Sequence, residues 1–308
     1  LGDVYKRQPY TSGYDTMLKN IGSLENHGYE LSIESDNLTG PFSWTTAFNI
    51  SFNRNKVLEL GGEEYKEMAE GDGHLKTGSV RRLIVGEPVG VFYGYRFDGI
   101  FQNEEECKQQ TSSAAPIGVG LRRYKDLNGD GKVDAVNDRE ILGNANPKFF
   151  GGLTNTFAYK GFELNVFLQY SVGNKILNYN AMELETPTGG QNAYADMVNR
   201  WTPENPSNIY PKATTNRNVL VSDRFIEDGS YLKLKTLSLS YSFPKVNIKH
   251  IQGLRIYVTG QNLLTWTKYR GYDPEVSYRG ASTLESGEDF GGYPQSRTFM
   301  FGVKLDIK

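Results

Sequence analysis

The sequence predicts an all-β chain whose strands lie in one antiparallel array, and three observations carry that prediction. Apolar residues recur with period two, not 3.6, in every strongly patterned segment. The 20 Tyr, 16 Phe and 34 Gly residues, with a mean hydropathy of −0.53, suit strands joined by polar turns. Short and long connections also alternate along the chain, an asymmetry typical of transmembrane barrels with tight turns on one side and long loops on the other.

Each strand can be justified in order. The first spans 19–37. In 42–54, Phe42, Trp44, Thr46, Phe48, Ile50 and Phe52 share one face, and Ser43, Thr45, Ala47, Asn49 and Ser51 the other. The pair 149–159 and 162–173 follows. In its second member Phe162, Leu164, Val166, Leu168 and Tyr170 alternate with Glu163, Asn165, Gln169 and Ser171, Phe167 being the exception. In 225–243 the phase slips, because Leu232 and Leu234 are even whereas Leu237, Leu239 and Tyr241 are odd; a β-bulge near Lys235-Thr236 accounts for it. Segments 253–265 and 296–308 complete the set.

These strands are long enough to cross a bilayer when tilted, and aromatics sit near their ends as an interfacial girdle requires. Alternation by itself also fits a soluble β-sandwich. The joints 38–41, 160–161 and 244–252 are short, whereas 54–148, 174–224 and 266–295 are long and read as extracellular loops. That parity gives about seven spanning strands, or nine if 54–148 hides a hairpin. An odd array that starts and ends descending cannot close, so an open arc with two unpaired edges is expected, a fragment of a larger barrel. Its apolar faces should point outward, with Ser43, Asn49, Glu163, Asn165 and Gln169 toward the lumen. The opening LGDVYKRQ (1–8) reads as a non-native leader, leaving 9–308 as barrel.

Several function classes find no support. A net charge of −2, from 34 basic and 36 acidic residues without a like-charge block, gives no basis for nucleic-acid binding. The single cysteine, Cys107, cannot form an internal disulfide. No apolar run is long enough for a transmembrane helix, which says nothing against transmembrane strands. His27, His74 and His250 are far apart, and Cys107 has no nearby basic motif that would mark a nucleophile. Glu63-Glu64 and Glu104–Glu106 read as solvated faces, and Gly61-Gly62 and Gly151-Gly152 lack phosphate-loop spacing. No enzymatic activity is expected.

One motif suggests a metal. Asp126-Leu-Asn128-Gly-Asp130-Gly131-Lys132-Val-Asp134 follows the start of a calcium loop, in which hard-cation oxygens converge and the sixth-position Gly permits a sharp turn. Asp126, Asn128, Asp130 and Asp134 would supply side-chain oxygens and Lys132 its carbonyl. Position twelve is Asn137 in place of Glu, with Asp138 one residue late. Two readings stay open, a structural Ca2+ site and an Asp/Gly-rich turn that binds nothing.

Eight segments, taken in order, resemble the SusC/RagA-type TonB-linked outer-membrane transporters of Bacteroidota. They are Asn20-Ile-Gly22 to Asn26-His-Gly28-Tyr-Glu30; Phe42-Ser-Trp44 to Asn53-Arg-Asn55-Lys-Val57; Gly86-Glu-Pro88-Val-Gly90 to Asp98-Gly-Ile-Phe101; Gly143-Asn-Ala-Asn146-Pro-Lys-Phe149; Gly229-Ser-Tyr231-Leu-Lys-Leu234; Gly260-Gln-Asn262-Leu-Leu264; Gly271-Tyr-Asp273-Pro-Glu275-Val; and Tyr293-Pro-Gln-Ser-Arg297-Thr-Phe299. The resemblance implies a plugged barrel of about 22 strands in the outer membrane, these being the last seven. It implies a SusD-like surface lipoprotein partner, and the TonB–ExbB–ExbD motor acting through a plug and TonB box upstream of residue 1. The cargo would be oligosaccharides or peptides, with no required cofactor. Two departures stand out: the displaced Asp138, and an ending on Asp306-Ile-Lys308 in place of a terminal aromatic. The other function classes are a secreted β-sandwich glycan-binding or adhesin module and a passive porin.

Overall fold

The computed structural model describes residues 4–7, 16–19, 22–68, 75, 78–186, 190, 192–215, 219–244, 246, 248, 250–278, 280 and 284–307. Of the expected leader, Val4–Arg7 pairs with Thr16–Lys19 in a separate antiparallel ribbon. Its other residues lie outside the described residues, as do Asn20, Ile21, His74 and Lys308.

Seven long strands form one sheet: β1 (Gly22–Leu38), β2 (Phe42–Leu60), β3 (Phe149–Tyr159), β4 (Phe162–Val172), β5 (Tyr231–Ser242), β6 (Ile251–Thr267) and β7 (Thr298–Ile307). Each pairs antiparallel with the next in chain order, giving a meander with β1 and β7 as edges. Among the described residues the edges do not meet, so the sheet is the open arc expected. The count is seven, not nine. Segment 54–148 instead contributes short ribbons, such as Val91–Tyr95 with Arg139–Asn144, that stay outside the wall. No described helix is long and apolar enough to cross a membrane.

Turn chemistry fixes the hairpins. Lys160 and Gly161 both take positive φ (45° and 87°), as the tight turn between right-twisted strands requires. Two boundaries move most: the strand expected to end at 54 runs on to Leu60, and the segment expected at 225–243 becomes a wall strand only at Tyr231. Upstream, Ile226–Asp228 pairs with Lys175–Asn178 in a separate ribbon, and the Ser230 hydroxyl caps Asp228 at the break.

The bulge falls where the phase slips. Leu234 pairs with Leu168, but Thr236 pairs with Phe167, leaving Lys235 as the extra residue. Leu232, Leu234, Leu237, Leu239 and Tyr241 thereby share the face of Phe162, Leu164, Val166, Leu168 and Tyr170. Phe167, the exception on the polar face, lies over Gly152, where a Cβ would stand 2.7 Å from its ring. On the other face Tyr170 crosses Gly151 and donates to the Asn49 carbonyl at 2.9 Å.

Aromatics gather in two bands on the apolar face. Phe42, Trp44 and Phe157 stack at the short-turn end, joined there by Phe162, Tyr241 and Phe243. Phe52, Phe149 and Tyr170 cluster toward the loop end. This is the arrangement an interfacial girdle needs.

The buried core lies in the loops and not between sheet faces. Phe92, Leu177, Tyr179, Met182, Val221 and Phe225 form its main cluster. Along the wall, Phe299 and Phe301 are 73 % and 80 % exposed and Ile307 72 %. A sandwich would bury that face under a second sheet. Here it is bare, a contiguous apolar surface of the kind that meets membrane or partner.

Candidate functional site: the loop layer on the polar face

The polar face receives the loops. From β5, Lys233 and Lys235 project toward the loop after β6, and Lys233 is almost fully buried there. Its Nζ donates to Asp273 Oδ1 at 2.6 Å and to Glu275 Oε2 at 2.5 Å. Lys235 Nζ reaches the same Glu275 Oε2 at 2.9 Å, and Tyr231 Oη donates to Oε1 at 3.1 Å. The remaining lone pairs of Asp273 are used by the backbone N–H of Glu275 and of Gln295. Burial pushes the Glu275 carboxyl up, but hydrogen bonds and charge from the two lysines outweigh it and hold it below the ordinary range. Buried charges persist only when paired and hydrogen-bonded in this way. The network clamps the 266–295 loop onto the wall.

A buried pair and a half-exposed ionic network tie the loops to each other. Arg81, 2 % exposed, donates to Glu288 at 2.8 Å and to the carbonyls of Gly90 and Ser286, and lies over the Phe92 ring. Arg270 bridges Glu185 and Glu227, and Arg224 also reaches Glu185. The loop layer is therefore a built structure and not a set of independent excursions.

The sequence motifs meet at its base. Asn55 Oδ1 accepts from the Val89 N–H at 2.7 Å, Asn146 Nδ2 donates to the Val89 carbonyl at 2.6 Å, and Asn144 Oδ1 accepts from the Asn146 N–H. Three separated segments are interlocked by asparagine amides around one backbone residue. Their asparagines serve first as structural ties.

The predicted metal residues do share one loop, but their oxygens point to backbone amides. Asp126 accepts from Gly129 and Gly131 N–H, both at 2.7 Å. Asn128 and Asp130 cap Asp130 and Lys132 N–H. Asp134 accepts from Val136 and Asn137 N–H, which hold its carboxyl below the usual range. Asp138, fully buried, accepts from Leu127 and Asp134 N–H. Lys132 also places its ammonium 3.3 Å from Asp134. Among the described residues, no three His, Cys, Asp or Glu side chains converge on a common metal position.

The other titratable groups stay apart. His27 lies 3.8 Å from Glu25 on the exposed β1 edge, and His250 occupies a turn at φ 69°. Cys107 sits in the short helix α1 (Glu104–Gln109), where burial and the charges of Glu104 and Glu106 push its thiol up, away from nucleophile character. Sequence reasoning missed Lys233, Lys235 and Arg81. The lysine pair did leave a signal, as two cations in a leucine-patterned strand; Arg81 left none.

Comparison with known proteins fits this architecture. No protein-family profile matches the chain. TonB-dependent receptor P3 of Formosa agariphila is 39% identical over 304 residues, covering 96% of this chain and 30% of the relative. TonB-dependent receptor P26 of the same organism is 34% identical over 305 residues, with 96% and 30% covered. TonB-dependent receptor SusC of Bacteroides thetaiotaomicron is 28% identical over 304 residues, with 94% and 27% covered. The chain thus spans about 30% of the length of the first two relatives. Among solved structures, the RagAB peptide importer in its open-open state superposes with a TM-score of 0.75 at 22% identity, covering 99% of this chain and 31% of that one. The RagAB peptide transporter gives 0.74 at 24%, covering 97% and 31%. At that identity these likenesses speak for the fold alone. With the ordered motifs, the open seven-strand meander and these relatives in agreement, the chain is similar over nearly its whole length to a portion of the TonB-dependent receptors, SusC among them, and its fold matches a portion of the RagAB barrel.

Proposed function

We propose that the protein containing this chain is an outer-membrane importer energised through TonB, with the chain forming part of the barrel wall and the outer vestibule. The observation that carries the reading is the division of the two faces. The apolar face is bare and banded with aromatics, whereas the polar face holds a tied loop layer. A wall between lipid and a water-filled, substrate-accepting lumen needs that division. The cargo class is a bulky nutrient, oligosaccharide or peptide. A SusD-like surface lipoprotein above the loops and the TonB–ExbB–ExbD motor are the proposed partners, on the strength of the family resemblance; the relatives' names support dependence on TonB. The chain is assigned no catalysis. The Asp126–Asp138 loop is read as a self-capped turn, the second of the two sequence readings, because its carboxylates are already bonded to amides.

The test is made on the full-length receptor in its own cells. Fractionation should place it in the outer membrane, and deletion of the receptor or of TonB should abolish uptake of the same nutrient. Uptake that survives loss of TonB would favour the passive porin. A protein recovered soluble outside the cell would favour the secreted module.

A further inference from the structure

A cleft of ≈ 400 Å³ opens where the loop ends of β2, β3 and β4 meet the loop layer. Its lining contains Arg54, Lys148 and Lys175, the amides of Asn53, Asn55 and Asn146, and no carboxylate. Asn53 and Asn55 continue the lumen-facing parity of Ser43 to Ser51, so the cleft belongs to the polar side of the wall.

Two features show how the lysines come to lie in it. A Cβ on Gly173 would stand 2.6 Å from Lys148 Cγ, and one on Gly143 would stand 2.8 Å from Lys175 Cγ. Each lysine stem thus crosses a glycine, and any larger residue there would move it. Lys175 also feels the charge of Asp228, but the Asp228 carboxylate is bonded to the Ser230 hydroxyl. Arg54 spends one guanidinium nitrogen on the carbonyls of Asn53 and Lys148, and its charge remains beside the cleft. The structural ties of Asn55 and Asn146 use one amide atom each; Asn55 Nδ2 and Asn146 Oδ1 have no partner among the described residues and remain for a ligand.

The geometry points to a binding site for an acidic oligosaccharide, its carboxylate or sulfate groups facing Lys148 and Lys175 and its hydroxyls facing the asparagine amides. With no carboxylate in the lining, Lys148 and Lys175 favour anionic oxygen there, although Lys175 is shared with Asp228 behind it, and amides supply both donors and acceptors to hydroxyls. An acidic peptide fits less well. β2, β3 and β4 are internal strands with no free edge to pair, and the only ring-bearing walls are Pro88 and Pro147. This inference rests on the import reading and names the charge class of its cargo.

The test uses the purified full-length receptor with its native partners, and calorimetry against named probes. These are tetragalacturonate and its methyl ester, a sulfated galactose tetrasaccharide and its desulfated form, and a tetraglutamate peptide. The charged sugar that fits should bind roughly tenfold more tightly than its neutral form, at about threefold per exposed ion pair. K148Q/K175Q should erase that preference, read as the ratio of charged to neutral affinity within the variant. Raised salt should weaken the charged probe only. The uronate and sulfate arms identify which group is read. Equal binding of charged and neutral sugars, binding of no charged sugar, a preference surviving in K148Q/K175Q, or tighter binding of tetraglutamate overturns the inference. TonB-dependent uptake in cells is scored separately, so a receptor that imports without this preference refutes the site and not the importer.

Discussion

Replacing Lys233 by Met removes one ammonium from the buried clamp between β5 and the 266–295 loop. Deleting one partner of a buried pair costs about 3–5 kcal/mol, because the other charge is left uncompensated. Here the carboxylates keep other partners: Glu275 retains Lys235 and Tyr231, and Asp273 retains two backbone N–H groups. The lower end, about 3 kcal/mol, is therefore expected. Lys235 is more exposed and touches Glu275 alone, so Lys235→Met should cost about 1 kcal/mol or less. In the full-length receptor the readout is protease cleavage within 266–295, which follows the open population when reclosing is fast. About 3 kcal/mol corresponds to cleavage on the order of a hundredfold faster for K233M, against about fivefold at most for K235M. Acid should act through the same contact. The folded Glu275 carboxyl lies below its ordinary value of 4.5, so its stabilisation is complete above that value and is lost as pH falls through the lower folded one. Cleavage should rise below pH 4.5, and Glu275→Gln should flatten the rise. Equal cleavage in wild type and K233M, or equal effects of the two lysine variants, would refute the clamp.

Other outcomes follow from single features. At Gly151 a Cβ would meet the Asn49 carbonyl oxygen at 2.1 Å, so Gly151→Ala must part β2 from β3. It should cost about 3 kcal/mol or more, seen as loss of the heat-resistant folded band of the full receptor, whereas Gly118→Ala, nearest Leu121 Cδ1 at 3.4 Å, should be tolerated. Asp126→Ala removes the acceptor of two backbone N–H groups and should loosen the 126–138 turn by about 2 kcal/mol at about 1 per bond, with the same rise in proteolysis at zero and millimolar calcium. Strong protection of the wild-type turn by calcium would restore the cation reading. Expressed alone, the chain should self-associate through the bare β1 and β7 edges and the exposed Phe299 and Phe301 face, and a monodisperse monomer in light scattering would contradict this.

The wall was legible because its signal is local. Period two needs only neighbours, and Phe42–Phe52 or Phe162–Tyr170 state their faces without reference to the rest of the chain. Connection parity then ordered the strands. The loop layer was not legible, for the opposite reason. Arg81 meets Glu288 across 207 residues, and Asn55, Val89 and Asn146 interlock from three segments; no period marks such pairs. On spacing alone the calcium motif supports both of its readings. The residues of a hard-cation loop and of a self-capped Asx turn are the same, and only the direction of each carboxylate separates them.

The irregularity at Lys235 connects the two levels. Under strict alternation, Lys233 and Lys235 would share a face with Leu237, Leu239 and Tyr241, so one side of β5 would carry both lysines and leucines. Either the lysines would enter the apolar surface or the leucines would enter the lumen, each at a cost. The extra residue at 235 reverses the phase midway. Above it, both lysines face the loop; below it, Thr236, Ser238 and Ser240 continue the polar face while the leucines remain opposite. The partner strand adjusts at the same level, where Asn262 takes φ 53° and the register between β5 and β6 shifts. A defect in the pattern that spans two strands costs ladder hydrogen bonds, and it persists because it lets one strand meet apolar surroundings and also clamp a polar loop. The slip in the leucine phase and the lysine pair beside it therefore mark, within the sequence, the place where the wall holds the 266–295 loop.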